Sequence, residues 1–179
     1  MGFPSQQSEN KLYKWRPLLT GMRIVKFKDL EPWQQKLLLK AEAVMRNAYN
    51  VTSHYYVGAA VLTKKGKVYQ GTFAENASLG LTVCAEVAAI LAANTAGERT
   101  FKAIAIIGAH ENFTSKEPVT PCGRCRQWIS EFAQLADYDI EVISANTKKD
   151  KIYVSVISEL LPVAFGPKDL GINVRKFRK

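Results

Sequence analysis

The residues best suited to chemistry are three cysteines and one glutamate. Cys122 and Cys125 form a Cys-x-x-Cys pair preceded by Pro121, and Cys84 lies upstream with Glu86 two residues later. A catalytic zinc site has three protein ligands and a fourth position open to water, whereas a structural zinc site is closed by four. Because the chain has three cysteines and no fourth, this set indicates an open Zn²⁺ site.

Glu86 is the candidate for proton transfer at such a site. Zinc lowers the pKa of bound water to about 7, and a carboxylate that does not coordinate the ion can move the released proton to a substrate. Glu86 lies close to Cys84 in sequence, which suits this role. We therefore predict that Glu86 is catalytic and that Cys84, Cys122 and Cys125 are metal ligands.

The cysteines alone also permit other interpretations. The Cys-x-x-Cys pair is compatible with a redox pair, or with half of a structural zinc site completed by His54 or His110. His54 lies in a Ser-His-Tyr-Tyr stretch that enters a predicted strand, and His110 lies in a predicted loop. A disulfide framework is not indicated, because the number of cysteines is odd.

The segments around these residues predict alternating helices and strands. Apolar residues recur at helical spacing from Leu30 to about Asn50, and helices are also predicted from about Cys84 to Asn94 and from about Pro121 onward. Strands are predicted at residues 57–62, 67–70, 103–107, 140–144 and 152–157. This order indicates a layered α/β sandwich. It also places the cysteines at helix N-termini, which favour thiolates.

The distribution of charge argues against a nucleic-acid groove. The net charge is +9, yet residues 51–174 contain twelve basic and twelve acidic residues, so the excess lies at the two ends. Basic ends on a neutral body are typical of solubility or of contact with a partner subunit. No apolar run is long enough to cross a bilayer, and no secretory signal is recognisable. We therefore expect a cytoplasmic protein without a membrane partner.

Two motifs give a specific family resemblance. Cys-Ala-Glu at 84–86 and Pro-Cys-Gly-Arg-Cys-Arg-Gln at 121–127 resemble motifs of the cytidine deaminase family. Three further segments also occur in the order seen in that family: Val57-Gly-Ala-Ala, Glu75-Asn-Ala-Ser and Phe165-Gly-Pro-Lys-Asp-Leu. The resemblance implies a three-layer α/β/α sandwich with a mixed five-stranded sheet.

The extent of the resemblance predicts how the chain is organised. It covers most of the chain and leaves both basic ends outside. We expect a basic N-terminal extension at residues 1–28, a catalytic domain at residues 29–170 and a basic tail at residues 171–179.

The resemblance also implies an activity. A hydroxide on zinc would attack C4 of the cytosine of a free cytidine or deoxycytidine, and ammonia would leave, with Glu86 protonating N3 and then the departing amine. The enzyme would be a hydrolase of pyrimidine salvage and a homotetramer with shared active sites.

Five further residues are expected to contact the substrate. Glu75 corresponds to a residue that holds the 3′-hydroxyl of the sugar, and Tyr55 corresponds to an aromatic residue against the base. Phe165 matches a residue that reaches a neighbour's pocket, and Ala85 and Phe73 complete the set.

Departures from the family pattern leave the substrate open. Phe73 stands where the nucleoside enzymes usually have an Asn that contacts ribose, Leu79 stands where Tyr is common, and Val87 stands where Arg is typical. Blasticidin-type deaminases share an apolar residue after the glutamate and the Gly-Arg-Cys sequence. The alternatives are ordinary cytidine binding restored by neighbouring residues, and altered sugar recognition or a modified nucleoside such as blasticidin S.

Two more distant alternatives belong to other classes of function. Deamination of cytosine in polynucleotides is supported only by the basic ends and the shared zinc chemistry. A zinc protein without turnover would have no need of a proton shuttle, so the presence of Glu86 argues against it.

Overall fold

A mixed six-stranded sheet forms the middle layer of the fold in residues 21–178, the part of the chain that the computed structural model describes. Its strands are β1 (Arg23–Val25), β2 (Tyr55–Thr63), β3 (Val68–Thr72), β4 (Phe101–His110), β5 (Glu141–Ala145) and β6 (Ile152–Val156). Their order is β1-β6-β5-β4-β2-β3. The β4–β5 pair is parallel and the other pairs are antiparallel.

Helices cover both faces of this sheet. They are α1 (Pro32–Met45), α2 (Ala85–Thr95), α3 (Gly123–Ala136) and the short α4 (Ile157–Leu160). Ala105 and Ile107 of β4 pack in the cluster that contains α1, whereas Ile104 and Ile106 pack in the cluster that contains α2 and α3. The predicted three-layer α/β/α sandwich is therefore confirmed. Within residues 21–178, no helix has both the length and the apolar character needed to cross a membrane.

The sheet has one strand more than predicted. All five predicted strands are present, and β1 adds a sixth by pairing antiparallel with β6, with Ile24 opposite Tyr153. At three residues, β1 is too short to show an alternating pattern in the sequence. Most of the expected extension at residues 1–28 lies outside the described residues, as does Lys179 at the end of the expected tail.

The topology brings the N-termini of α2 and α3 to one edge of the sheet. Strand β2 is antiparallel to both β3 and β4, so β3 and β4 run in the same direction. Helix α2 follows β3 and helix α3 follows β4 along the chain. Both helices therefore begin near the carboxyl ends of parallel strands, where α/β proteins commonly place their sites.

Gly71 on β3 allows α2 to pack closely on the sheet. A Cβ atom at this position would lie 2.2 Å from Ala89 N and 2.5 Å from Ala85 O, both backbone atoms of α2. Since backbone cannot rotate away as a flexible side chain can, α2 would have to move. We expect Gly71→Ala to lower the free energy of unfolding by about 1–3 kcal/mol in urea denaturation.

Gly80→Ala is the matched control for this substitution. A Cβ atom at Gly80 would meet nothing within 4 Å, so its free energy of unfolding should change by no more than about 0.5 kcal/mol. Equal stability of the Gly71→Ala variant and the unmodified protein would show that the close contact between β3 and α2 is not required.

Candidate active site

The three cysteine thiols meet where α2 and α3 begin. Cys84 is the N-cap residue of α2, Cys122 is the N-cap residue of α3, and Cys125 lies in the first turn of α3. The Sγ atoms of Cys84 and Cys122 are 4.0 Å apart, and those of Cys122 and Cys125 are 3.6 Å apart. Three sulfurs bound to one tetrahedral zinc at about 2.3 Å would be about 3.8 Å from one another. The thiols are therefore spaced to hold one zinc ion.

Neither histidine joins this group. In residues 21–178, the group of potential ligand atoms lying within 4.8 Å of one another consists of the three cysteine sulfurs. His54 instead faces Glu111, with Nδ1 3.6 Å from Oε2, and its ring lies 6.4 Å from that of His110. A structural zinc site completed by either histidine is therefore not formed.

Glu86 is buried beside the thiols, in the first turn of α2. Its exposed fraction is only 4%. Burial raises the pKa of its carboxyl to about 7, and the charge of Cys84 adds to this increase. A carboxyl with a pKa near neutrality can both accept and release a proton in the same reaction cycle.

The groups around Cys84 favour the negatively charged thiolate form of its side chain. A hydrogen bond with Cys125 is the main reason that the pKa of the Cys84 thiol falls to about 6, and the charge of Arg124 lowers it further. The pKa of Cys125 is raised because it keeps the proton of that hydrogen bond and because it is buried. The N-termini of α2 and α3 add partial positive charge at the same place.

Arg124 provides a positive charge near the thiols that is missing at position 87, where Val87 stands in place of the typical Arg. Val87 is fully buried and follows Glu86, whereas the Arg124 guanidinium donates to Thr82 O at 3.1 Å, close enough to Cys84 to stabilise its thiolate. Arg126 has a different role, since it donates to Pro121 O at 2.9 Å and fixes the backbone ahead of Cys122. Of the two arginines that flank Cys125, Arg124 acts on the charge of the site.

Three of the expected substrate residues share one cluster. Ala85 belongs to the buried core cluster on the α2 and α3 side of the sheet, and the partly buried Tyr55 and Phe73 pack against that cluster. Burial raises the pKa of the Tyr55 hydroxyl, and the Phe73 N–H donates to Val57 O at 3.0 Å. Phe165 lies apart from this cluster, with 62% of its surface exposed.

The Glu75 carboxylate is held by a turn that the sequence did not indicate as part of the site. It accepts hydrogen bonds from Thr52 N at 2.7 Å and from Ser53 N at 3.1 Å. Hydrogen bonding with Ser53, followed by that with Thr52, holds the pKa of Glu75 below its usual range. The Asn-Val-Thr-Ser run at residues 50–53 is typical of a turn, but nothing in its local pattern points to Glu75.

Comparison with known proteins identifies the family. The family model described as the cytidine and deoxycytidylate deaminase zinc-binding region matches residues 31–137, which include the three cysteines and Glu86. The chain belongs to this family. Zinc is accordingly its cofactor, and the thiol spacing fits that ion.

Relatives of this deaminase family member cover most of the chain. The cytidine deaminase of Halalkalibacterium halodurans is 41% identical over 138 residues, which are 77% of this chain and 98% of that protein. The cytidine deaminase of Sporosarcina psychrophila is 38% identical over 137 residues, which are 76% of this chain and 94% of that protein. The resemblance inferred from the motifs is thus confirmed.

Solved structures of cytidine deaminases share the fold of this deaminase family member. The enzyme from Burkholderia pseudomallei is 39% identical with a TM-score of 0.64, covering 73% of this chain and 97% of that one. The enzyme from Mycobacterium tuberculosis is 31% identical with a TM-score of 0.61, covering 76% of this chain and 99% of that one.

Proposed function

We propose that this chain catalyses the hydrolytic deamination of the cytosine base of a free cytidine-type nucleoside, giving the uridine product and ammonia. The observation that carries this proposal is the grouping of three thiols, with the spacing of zinc ligands, beside the buried carboxyl of Glu86. A site with three protein ligands leaves room for water, and a buried acid with a pKa near 7 is suited to move its proton.

Cys84, Cys122 and Cys125 would hold the zinc ion, which when bound would lower the pKa of a coordinated water to about 7. Glu86 would accept the proton of that water at a carboxylate oxygen and deliver it to N3 of the base as the oxygen adds to C4. It would then take the remaining proton of the added oxygen and transfer it to the amine, which leaves as ammonia while the C4 carbonyl forms.

The remaining residues would bind and orient the nucleoside. Glu75 would accept a hydrogen bond from the sugar's 3′-hydroxyl, since its carboxylate is fixed by two backbone N–H groups. Tyr55 would face the base, and Ala85 and Phe73, in the same cluster, would complete the wall of the pocket. Phe165 is exposed and would enter the pocket of a neighbouring subunit.

Ammonia release by purified, zinc-loaded protein tests this activity. Cytidine, deoxycytidine and blasticidin S are the substrates to compare, and we expect turnover of at least one of them. The absence of ammonia from all three would overturn the proposal that this site acts on cytidine-type nucleosides.

Altered sugar recognition is the second candidate, and Phe73 is the residue that favours it. The Phe73 ring packs in the apolar cluster beside the site, so it offers no hydrogen bond to a ribose hydroxyl. A site lacking such a partner discriminates less against nucleosides without the hydroxyl. Val87 and the Gly-Arg-Cys sequence at residues 123–125 also fit a modified nucleoside such as blasticidin S.

Phe73→Asn should therefore improve the use of cytidine. We expect kcat/KM for cytidine to rise about 10-fold, mainly through a lower KM, because an amide replaces an apolar ring near the sugar. Phe73→Leu is the control, since it removes the ring without adding a polar group and should give no such gain. An unchanged or lower kcat/KM for cytidine in Phe73→Asn would contradict this role of Phe73.

Homotetramer formation with shared active sites is also part of the proposal. It is supported by exposed apolar side chains near the site: Tyr49, Val51, Leu79 and Leu81 are each at least 59% exposed. Burying such a surface against another subunit would be favourable. Mass photometry at working concentrations should find a species of four chains, and a monomer that turns over substrate fully would contradict the assembly.

A cytoplasmic role in pyrimidine salvage fits the same chemistry. Three unpaired thiols that must remain reduced to bind zinc are suited to a reducing compartment. We assign the catalytic unit to residues 29–170, and the basic ends at residues 1–28 and 171–179 to additions around it, of which the first contributes β1 to the edge of the sheet.

A further inference from the structure

The C-terminal tail, residues 171–178, docks on the end of α3. The Arg178 side chain donates from Nε to Leu135 O, in the last turn of that helix. Its Nη2 lies 3.5 Å from Asp137 Oδ2, and Nη2 of Arg175 lies 3.9 Å from the same oxygen. The tail thus places two arginines at the point where α3 stops.

These arginines offset the unfavourable negative charge at the C-terminal end of α3. The helix has no basic residue in its own last turn, and its C-cap is Asp137, an acid in the left-handed conformation with φ of 53°. A negative charge is unfavourable at this end, where the helix dipole is negative and carbonyls lack partners. Arg178 supplies both the missing positive charge and a donor for Leu135 O.

The surface of α3 also holds the segment that carries Phe165. Gln127 Nε2 donates to Phe165 O at 2.9 Å. The Gln134 side chain of α3 lies directly against Gly166, where a Cβ atom would be 2.2 Å from Gln134 Nε2. Backbone at residues 165–166 is therefore fixed on α3 while the Phe165 ring points outward, 62% exposed.

A tight turn connects this segment to the tail. Gly171 adopts a left-handed conformation with φ of 67°, and its N–H donates to Lys168 O at 3.0 Å. Ile172 N donates to Pro167 O at 2.9 Å. The turn directs the chain back to the end of α3, so a short run of hydrogen-bonded backbone joins the tail to the segment that presents Phe165.

We propose that docking of the tail on α3 through Arg178 positions Phe165 for the substrate pocket of a neighbouring subunit. Arg178 is a positioning residue and touches no substrate. The proposal rests on the proposed function in one respect, the contact between Phe165 and the substrate bound by a second copy of the chain. It gives the basic C-terminal residues a structural purpose that their charge alone did not indicate.

A double-mutant cycle between Arg178 and Phe165 tests this coupling. We expect Arg178→Ala to raise KM for the nucleoside about 3- to 10-fold, with kcat and zinc content nearly unchanged. In the Phe165→Ala background, which itself raises KM, Arg178→Ala should add no further increase. Arg178→Lys, which keeps a positive charge and a donor, should recover most of the loss.

Hydrogen exchange provides a readout that does not depend on activity. Amides of residues 161–170 should exchange faster in Arg178→Ala, and in a chain ending at Leu170, than in the full chain. Unchanged exchange there would overturn the proposal. So would KM increases that multiply in the double variant, or a Phe165→Ala variant with an unaltered KM. If the full chain turned over no cytidine-type nucleoside, the proposed function would fail, whereas the exchange comparison would still decide whether the tail fixes the segment.

Discussion

Glu86→Gln is expected to lower kcat by about 10²–10⁴-fold while leaving zinc content and fold intact. Glutamine has nearly the same shape as glutamate but cannot accept and release a proton at neutral pH. Because the carboxyl is buried and its pKa is raised to about 7, the substitution removes a group that is neutral for part of the time and should not unfold the site. Steady-state ammonia release, with metal analysis on the same sample, measures both quantities.

Glu131→Gln is a suitable control for this variant. Glu131 lies on α3, and partial burial raises the pKa of its carboxyl too, but it is not part of the thiol site. Its kcat should match that of the unmodified enzyme. A Glu86→Gln enzyme within about 10-fold of normal kcat, well inside the contribution of general acid–base catalysis, would remove Glu86 from the mechanism.

Cys125→Ser is expected to abolish zinc retention and, with it, turnover. Cys125 is fully buried and lies within reach of both other sulfurs, so serine would leave two thiolates and a poor ligand. Substitution of groups that only support metal ligands already costs 10- to 100-fold in affinity, so loss of a ligand should exceed about 100-fold. Zinc per chain after dialysis, measured by inductively coupled plasma mass spectrometry, should fall close to zero.

The cysteine count makes this result easy to check independently. The chain has three cysteines and all three lie in the site, so a thiol reagent reports on the site alone. In the zinc-loaded enzyme all three should be protected, and after chelation all three should react. Ser130→Ala, a buried substitution in the same helix, should keep its zinc. Full zinc content in Cys125→Ser would contradict the assignment of this ligand.

The thiol group could be predicted from the sequence because its determinants are local. Two of the three cysteines are three residues apart, and Cys84 and Cys122 both lie close to where the sequence pattern predicts that a helix begins. The local sequence cannot show that α2 and α3 begin side by side. This arrangement follows from the direction shared by β3 and β4, and the family resemblance anticipated it.

The predicted end of α1 was wrong for a tertiary reason. Helical periodicity suggested that it continues to about Asn50, but it ends at Met45. Tyr49 instead donates to Phe73 O at 3.0 Å and accepts from Glu75 N at 2.7 Å. The backbone N–H and C=O of Tyr49 are therefore bonded to the loop beside the site and cannot take part in another turn of α1. Propensity alone cannot reveal such a competition.

Long-range contacts account for the other features that the sequence did not reveal. Arg124 acts on Cys84 across forty positions of sequence, and Arg178 reaches Leu135 and Asp137 from the far end of the chain. The sequence alone links neither arginine to these particular partners. Their partners become visible when α3 is placed between the start of α2 and the tail.

X-ray absorption at the zinc edge is the sharpest test of the three-thiolate site, because it counts the atoms around the ion. We expect three sulfur ligands at about 2.3 Å and one light atom at about 2.0 Å, in zinc-loaded enzyme without substrate. A shell of four sulfurs, a shell with two sulfurs and two imidazole nitrogens, or protein that takes up no zinc would contradict it.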